Sequence, residues 1–245
     1  MIVLVSVLLF LVVLEPKDSI FLNREFQSIE IYDRHIYCAP FTGKSIFRLD
    51  DSYNLIPQTF TDDQSYPIYD FHITPFAFYI NNGKAIDKFY IASAKKETVF
   101  SSDDISSFVV TPSEEVIFFE RQKRMLVFLD FTNQVRLTID DVNVKDFCLA
   151  DNIIYMLTRN NLLFCDEYGN IYSQKTIPYR ADRIYADSTL ILLFSPDERF
   201  VITVNSDWEK IELLHGVRDI TGNEEFIVML SDNGTTLYFY NKSAF

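Results

Sequence analysis

A β-propeller of six four-stranded antiparallel blades, all-β in class, is the fold the sequence predicts, with the N-terminal strand completing the last blade. Three observations predict it. A unit containing two apolar bursts recurs six times, at spacings between 36 and 40 residues. Polar turns divide each unit into four strand-length segments. The chain ends leave one strand missing at the C-terminus and one spare at the N-terminus.

The unit is clearest in "VKDFCLADNIIYMLTRNNLLFCDEYGNI", residues 144–171. With Phe147 as reference, equivalent positions are Ile31, Phe71, Phe108, Ile184 and Ile220. Three positions upstream stand Ser28, Ile68, Ile105, Val144, Ala181 and Val217, apolar in five of the six. The reference burst and the one about six residues later ("IIYML", "LILLF", "FIVML") read as strands A and B. Turns such as "NNGK", "RNN" and "SDNG" lead to strand C ("MLVFLD", "RFVITV", "TLYFY"). A second turn ("DFTNQ", "DEYGN", "NSDWEK") leads to strand D ("QVRLTI", "KIELLH").

The sixth copy stops at "LYFYNKSAF", without a strand D, and the segment "DSIFLNREF" ahead of the first copy is unclaimed. Pairing the two closes the ring and removes both free sheet edges.

The Trp-Asp signature of one propeller class is missing, since Trp208, the one tryptophan, falls in an expected turn. The segments "DNIIYMLTRNNLLFCDEYGNI" and "EEVIFFERQKRMLVFLDFTNQ" instead resemble the repeats of NHL-type, TolB-like six-bladed propellers. Such repeats run as apolar strand, polar turn, apolar strand and an Asp-containing turn. The resemblance extends over residues 18–245 and is sharpest in the third and fourth copies. It implies a fold, and a fold does not by itself imply a function.

Composition narrows the function classes. The net charge is −13 and no charged side chain precedes Glu15, so the acidic excess sits on the folded part. Such a surface repels phosphate backbones, which argues against nucleic acid. The six glycines form no phosphate-binding loop motif. Cys38, Cys148 and Cys165 form no C-x-x-C pair, and free thiols are expected. His35, His72 and His215 are scattered, with no H-E-x-x-H pattern, and read as surface or satisfied core residues. No G-x-S-x-G elbow occurs either, so no catalytic residue is nominated.

Residues 1–15 form a hydrophobic signal or anchor segment, and residues 16–245 the propeller. The run Ile2–Leu14 has the length of a signal-peptide core and is short of the roughly 20 residues that cross a bilayer. No basic residue precedes it and no small-x-small cleavage site follows. A buried β-strand is the alternative, given its Val, Leu and Ile content. The expectation is an extracytoplasmic protein, secreted or tethered, monomeric, that meets a membrane only through this segment.

In a propeller the innermost strands line a central channel. The residues one before each reference position are Glu30, Asp70, Ser107, Asp146, Arg183 and Asp219, and the sequence reading places them at the channel mouth, on the face of the D–A and B–C loops. Two readings compete for them. Clustered carboxylates suit a hard cation such as Ca²⁺, or acid–base chemistry, with Arg183 neutralising two acids or clamping an anion. Alternatively the acids accept backbone N–H bonds and belong to the repeat itself. The longest inter-reference stretch adds an Asp- and Tyr-rich loop with Asp62, Asp63, Tyr66 and Tyr69 as candidate contact residues. Two functions remain. One is a non-catalytic binding or scaffold protein, needing no cofactor, that presents loops to a protein, peptide or glycan. The other is a divalent-metal hydrolase or lyase at the channel mouth.

Overall fold

The computed structural model describes residues 13–62, 66–93, 95–204 and 208–245. Their strands form six antiparallel sheets, each running A to D from the centre outward. Blade 4 is typical. Asp146–Ala150, Ile153–Leu157, Asn161–Cys165 and Ile171–Thr176 pair in that order, with Asp146 opposite Leu157 and Ile154 opposite Cys165. Its two middle strands are largely buried, while its outermost strand is exposed along its whole length. That gradient explains why apolar bursts mark strands A to C and polar residues mark strand D.

The turns follow from local chemistry. Asp33–Arg34 and Asp151–Asn152 each have positive φ at both residues, the mirror-image two-residue turn that matches strand twist in A–B hairpins. In three C–D turns one aspartate organises five residues. Asp50 accepts the Ser52 and Asn54 N–H groups at 2.9 and 2.8 Å, and Asp130 and Asp166 bind the equivalent groups. The fourth residue of each, Tyr53, Asn133 or Gly169, takes the left-handed conformation. The Asp-containing turn of the repeat is therefore a backbone-folding device.

Six hydrophobic clusters hold the ring, and each is shared by two consecutive blades. Phe119 and Phe128 of blade 3 meet Phe147 and Met156 of blade 4, while Leu230 and Leu237 of blade 6 meet Ile29 and Cys38 of blade 1. The reference residues and the apolar residues three before them lie in the same clusters, as Ile68 with Phe71 and Val217 with Ile220. Each fully buried side chain of this size contributes about 2–3 kcal/mol relative to exposure.

The ring closes as its ends suggest. Asp18–Phe21 pairs antiparallel with Thr236–Asn241, Ile20 opposite Leu237, and becomes the outer strand of blade 6. Two further bonds flank the ladder, from Lys17 N–H to Phe239 O and from Leu22 N–H to Thr235 O, both 2.7 Å. At Gly234 the left-handed backbone is needed, and a Cβ would fall inside contact distance of the Phe26 carbonyl oxygen.

Two details differ from expectation. Trp208 begins a strand, Trp208–Leu213, because its half-buried ring packs on the blade 4–5 cluster. Val13 and Leu14, expected in the leader segment, form a short strand parallel to Trp208–Leu213, with Leu14 packed against the blade 5–6 cluster. Residues 1–12 of that segment lie outside the described residues. No helix among the described residues is long and apolar enough to cross a membrane. Cys38, Cys148 and Cys165 are free thiols, Cys148 half-buried and the others buried.

Candidate functional site: the central channel

Strands alternate their side chains, so each inner strand sends its reference residue between blades and the residues on either side toward the axis. A cavity of about 630 Å³ results, and Glu30, Asp70, Ser107, Asp146, Arg183 and Asp219 all line it. Pro112, Asp151 and Asn152 of the A–B turns line it as well, so the cavity extends from the ring to that face. On the D–A side the residues two before the ring are buried in the inter-blade clusters, among them Ile68 and Val144.

The ring is electrically organised around Arg183. Its Nε lies 3.8 Å from Asp146 Oδ2 and its Nη2 3.8 Å from Asp219 Oδ1. Both acids also bind backbone of the following blade's inner strand. Asp146 accepts the Ile184 N–H at 3.1 Å and Asp219 the Ile29 N–H at 2.8 Å. These bonds stitch blade 4 to 5 and blade 6 to 1, so part of the acidic repeat is structural.

His72 completes the charge pattern. Two residues after Asp70, it points to the same side of the strand, and its Nδ1 lies 3.4 Å from Glu30 Oε1. Its Nε2 bonds the Phe108 carbonyl at 3.0 Å. Sequence reading treated His72 as an ordinary surface or core residue; the two-residue spacing from Asp70 was the signal available. The same spacing brings Cys148, Tyr185 and Thr221 onto the wall.

Enclosure shifts the acids upward. Burial raises Asp219 to about 7 against the pull of Arg183 and the Ile29 N–H. It raises Asp70 to about 6, opposed by His72 and Arg183 and reinforced by Asp146. Burial also raises Asp146, with Arg183 opposing. For His72 burial acts downward, but Glu30 and Asp70 outweigh it and the imidazolium persists to about 9. Burial holds the Cys148 thiol well above its ordinary range, so it is no activated nucleophile.

These shifts have one sign. Unfolded aspartates release their protons near pH 4 and unfolded histidine near 6.5, whereas the folded groups keep theirs to higher pH. The native state thus binds more protons across roughly pH 4 to 9, and stability falls as pH rises through that window, by several kcal/mol in total. Asp182 and Asp187 oppose this only at more acidic pH. Burial disfavours their charge, but Lys145 and Lys242 respectively lead the interactions that hold both below the usual range. His215, whose pKa burial lowers, opposes the trend below pH 6.5, so the fall in stability is expected chiefly on the alkaline side of that value. Asp70→Asn should raise stability at pH 8 by about 1–2 kcal/mol and by roughly half as much at pH 5, where the unfolded aspartate is already ionised while the folded one still holds its proton. Urea melts at the two pH values measure this, and a destabilised Asp70→Asn at pH 8 would refute the charge assignment.

The loop candidates divide. Asp62 and Tyr69 are exposed, Tyr69 meeting Phe41 edge-on with ring centroids 5.2 Å apart. Asp63 lies outside the described residues. Tyr66 is a correction: it is buried in the blade 1–2 cluster, and its hydroxyl donates to the buried Asp87, so it is core and not a contact residue. No three His, Cys, Asp or Glu side chains among the described residues are placed to hold a metal ion together.

No protein-family model matches the chain, and no curated protein matches it in sequence. Solved structures do match in shape. A streptogramin B lyase superposes with a TM-score of 0.67 at 9 % identity, covering 92 % of this chain and 97 % of its own. A virginiamycin B lyase from Staphylococcus aureus gives 0.64 at 12 % identity, covering 91 % and 87 %. A chain of a mitotic checkpoint complex gives 0.66 at 8 %, covering 93 % and 91 %. The chain is a six-bladed β-propeller. Likeness at this level of identity extends to the fold alone.

Proposed function

We propose that this propeller is a non-catalytic binding or scaffold protein, working outside the cytoplasm as a monomer and presenting its loops to a protein, peptide or glycan. One observation supports this best. Large apolar side chains stand exposed at hairpin tips on the face of the A–B and C–D turns. They are Tyr53, Phe131 and Tyr168 in C–D turns, and Phe76 and Ile91 in blade 2. Phe131 is 74 % and Tyr168 69 % exposed. The tips span four consecutive blades, and aromatic rings are what contact surfaces concentrate. The acidic balance of the chain favours a neutral or basic partner.

Export is supported by the apolar run Ile2–Leu14 and by the place of the closing strand. A cut anywhere up to Glu15 spares Asp18–Phe21, so losing a leader leaves the ring closed. Placement in the NHL-type, TolB-like group is supported by the six blades and the Asp-organised C–D turns.

The test is site-specific photocrosslinking in the cells that make the protein. A crosslinker replacing Phe131 or Tyr168 should give discrete adducts, while one replacing Tyr179, exposed on the opposite face, should give none. Equal adduct patterns at all three positions would refute the assigned face, and recovery of the chain in the cytosol would refute export.

A further inference from the structure

The channel ring has two unlike halves. On the side of blades 4 to 6 every carboxylate is provided for. Asp146 and Asp219 share Arg183 and accept backbone N–H groups from the next blade. On the side of blades 1 to 3 acceptors are left over. Glu30 uses Oε1 on His72, while its Oε2 is buried with no hydrogen-bond partner among the described residues. Ser107 is 5 % exposed, lines the same cavity, and its Oγ also lacks a partner among the described residues. Asp70 accepts one backbone N–H, from Phe71, at Oδ1.

We propose that this half of the channel binds a primary ammonium group, held by Glu30, Asp70 and Ser107. Unmatched buried acceptors are costly, and a ligand rich in donors removes that cost. An ammonium carries three donors and no acceptor on one compact centre, matching three oxygens from three neighbouring blades. Its positive charge suits a wall with two carboxyl groups, Glu30 and Asp70, against the single imidazolium of His72. An anion would meet acceptors in place of donors. Divalent metal is disfavoured because no three carboxylate or histidine side chains among the described residues converge for it. The cavity reaches the A–B turn residues Pro112, Asp151 and Asn152, and its volume of about 630 Å³ accommodates an alkyl chain of several carbons behind the charged head. The amine is either a free small molecule or the side chain of a lysine-containing peptide. The inference stands apart from the proposed loop contacts, since it uses only channel atoms.

The site also gives Asp70, whose burial disfavours its charge, a cationic partner. Asp70→Asn should therefore produce a more stable protein that has lost its ligand, an outcome no purely structural role for Asp70 predicts.

The experiment is calorimetric titration of the full chain with n-butylammonium and with N-acetyl-lysine methylamide, using n-butanol as the neutral control. Binding in the roughly millimolar range is expected for at least one amine and not for butanol. Saturation by butylammonium alone identifies a free amine, and by the lysine derivative alone a peptide side chain. Glu30→Gln and Asp70→Asn should each weaken binding about tenfold and Ser107→Ala about threefold, consistent with lost charged and neutral hydrogen bonds. Thermal melts report the folding of each variant. The proposal is overturned if neither amine binds, if butanol binds equally, or if folded Asp70→Asn binds as the wild type does. Titration with Ca²⁺ is the competing arm: saturation by Ca²⁺ without either amine would reassign the oxygens to a metal.

Discussion

Removing residues 1–22 abolishes cooperative folding, whereas removing residues 1–15 lowers stability by about 1 kcal/mol, the scale of a short edge contact. The contrast follows from where each segment sits. Val13 and Leu14 add a two-residue strand to the outside of blade 5, which already has four strands. Asp18–Phe21 is itself the fourth strand of blade 6. It covers Thr236–Asn241 and carries Ile20, while the buried Leu22 follows it; both belong to the cluster joining blade 6 to blade 1. Two buried side chains at about 2 kcal/mol each, with several ladder hydrogen bonds at about 1 kcal/mol each, give roughly 6–8 kcal/mol. That is comparable with the 5–15 kcal/mol typical of a whole domain. Urea unfolding followed by Trp208 fluorescence measures both variants. An unchanged midpoint in the longer deletion would show that the ring is not closed through this strand.

Arg183→Met costs about 3–5 kcal/mol at pH 8 and much less at pH 5, as expected for removing one partner of a buried charge cluster. The guanidinium is placed between Asp146 and Asp219, and the methionine that replaces it fills space without balancing either acid. At pH 8 the acids must stay ionised in a desolvated channel or take up protons against the solvent. At pH 5 they are protonated cheaply, since Asp219 and Asp70 already hold protons to about 7 and about 6 with the arginine present. Arg183→Lys should fall between, because one ammonium reaches one acid where the planar fork serves two. Urea midpoints at both pH values decide the matter, and equal losses would mean that packing, not charge, is what Arg183 supplies.

The two variants mark what kind of information each feature needed. Strand Asp18–Phe21 was legible because a repeat with one member missing at one end and one spare at the other has a single economical solution. Arg183 was legible as a departure from an acidic series, and the ring order placed it between Asp146 and Asp219. His72 was not. The two-residue spacing from Asp70 in "DFHI" puts it on the channel side, but its partner Glu30 lies in another blade and no local pattern reveals that pairing. Tyr66 misled for the converse reason. Its loop is polar in composition, but a buried carboxylate on strand Ala85–Tyr90 receives its hydroxyl and draws the ring into the core.

The sequence by itself determined the number of blades, the pairing of strands within them and the identity of the residues facing the axis. All three follow from short-range periodicities, the two-residue alternation of a strand and the repeat length, which any stretch of chain displays on its own. Only the tertiary structure decided how Arg183 divides the ring into a satisfied and an unsatisfied half and which acids hold protons near neutrality. Those properties depend on how closely side chains from different blades approach and how little water remains between them. Distances across the ring and the dielectric inside it arise only when six sheets, separate along the chain, converge on one axis.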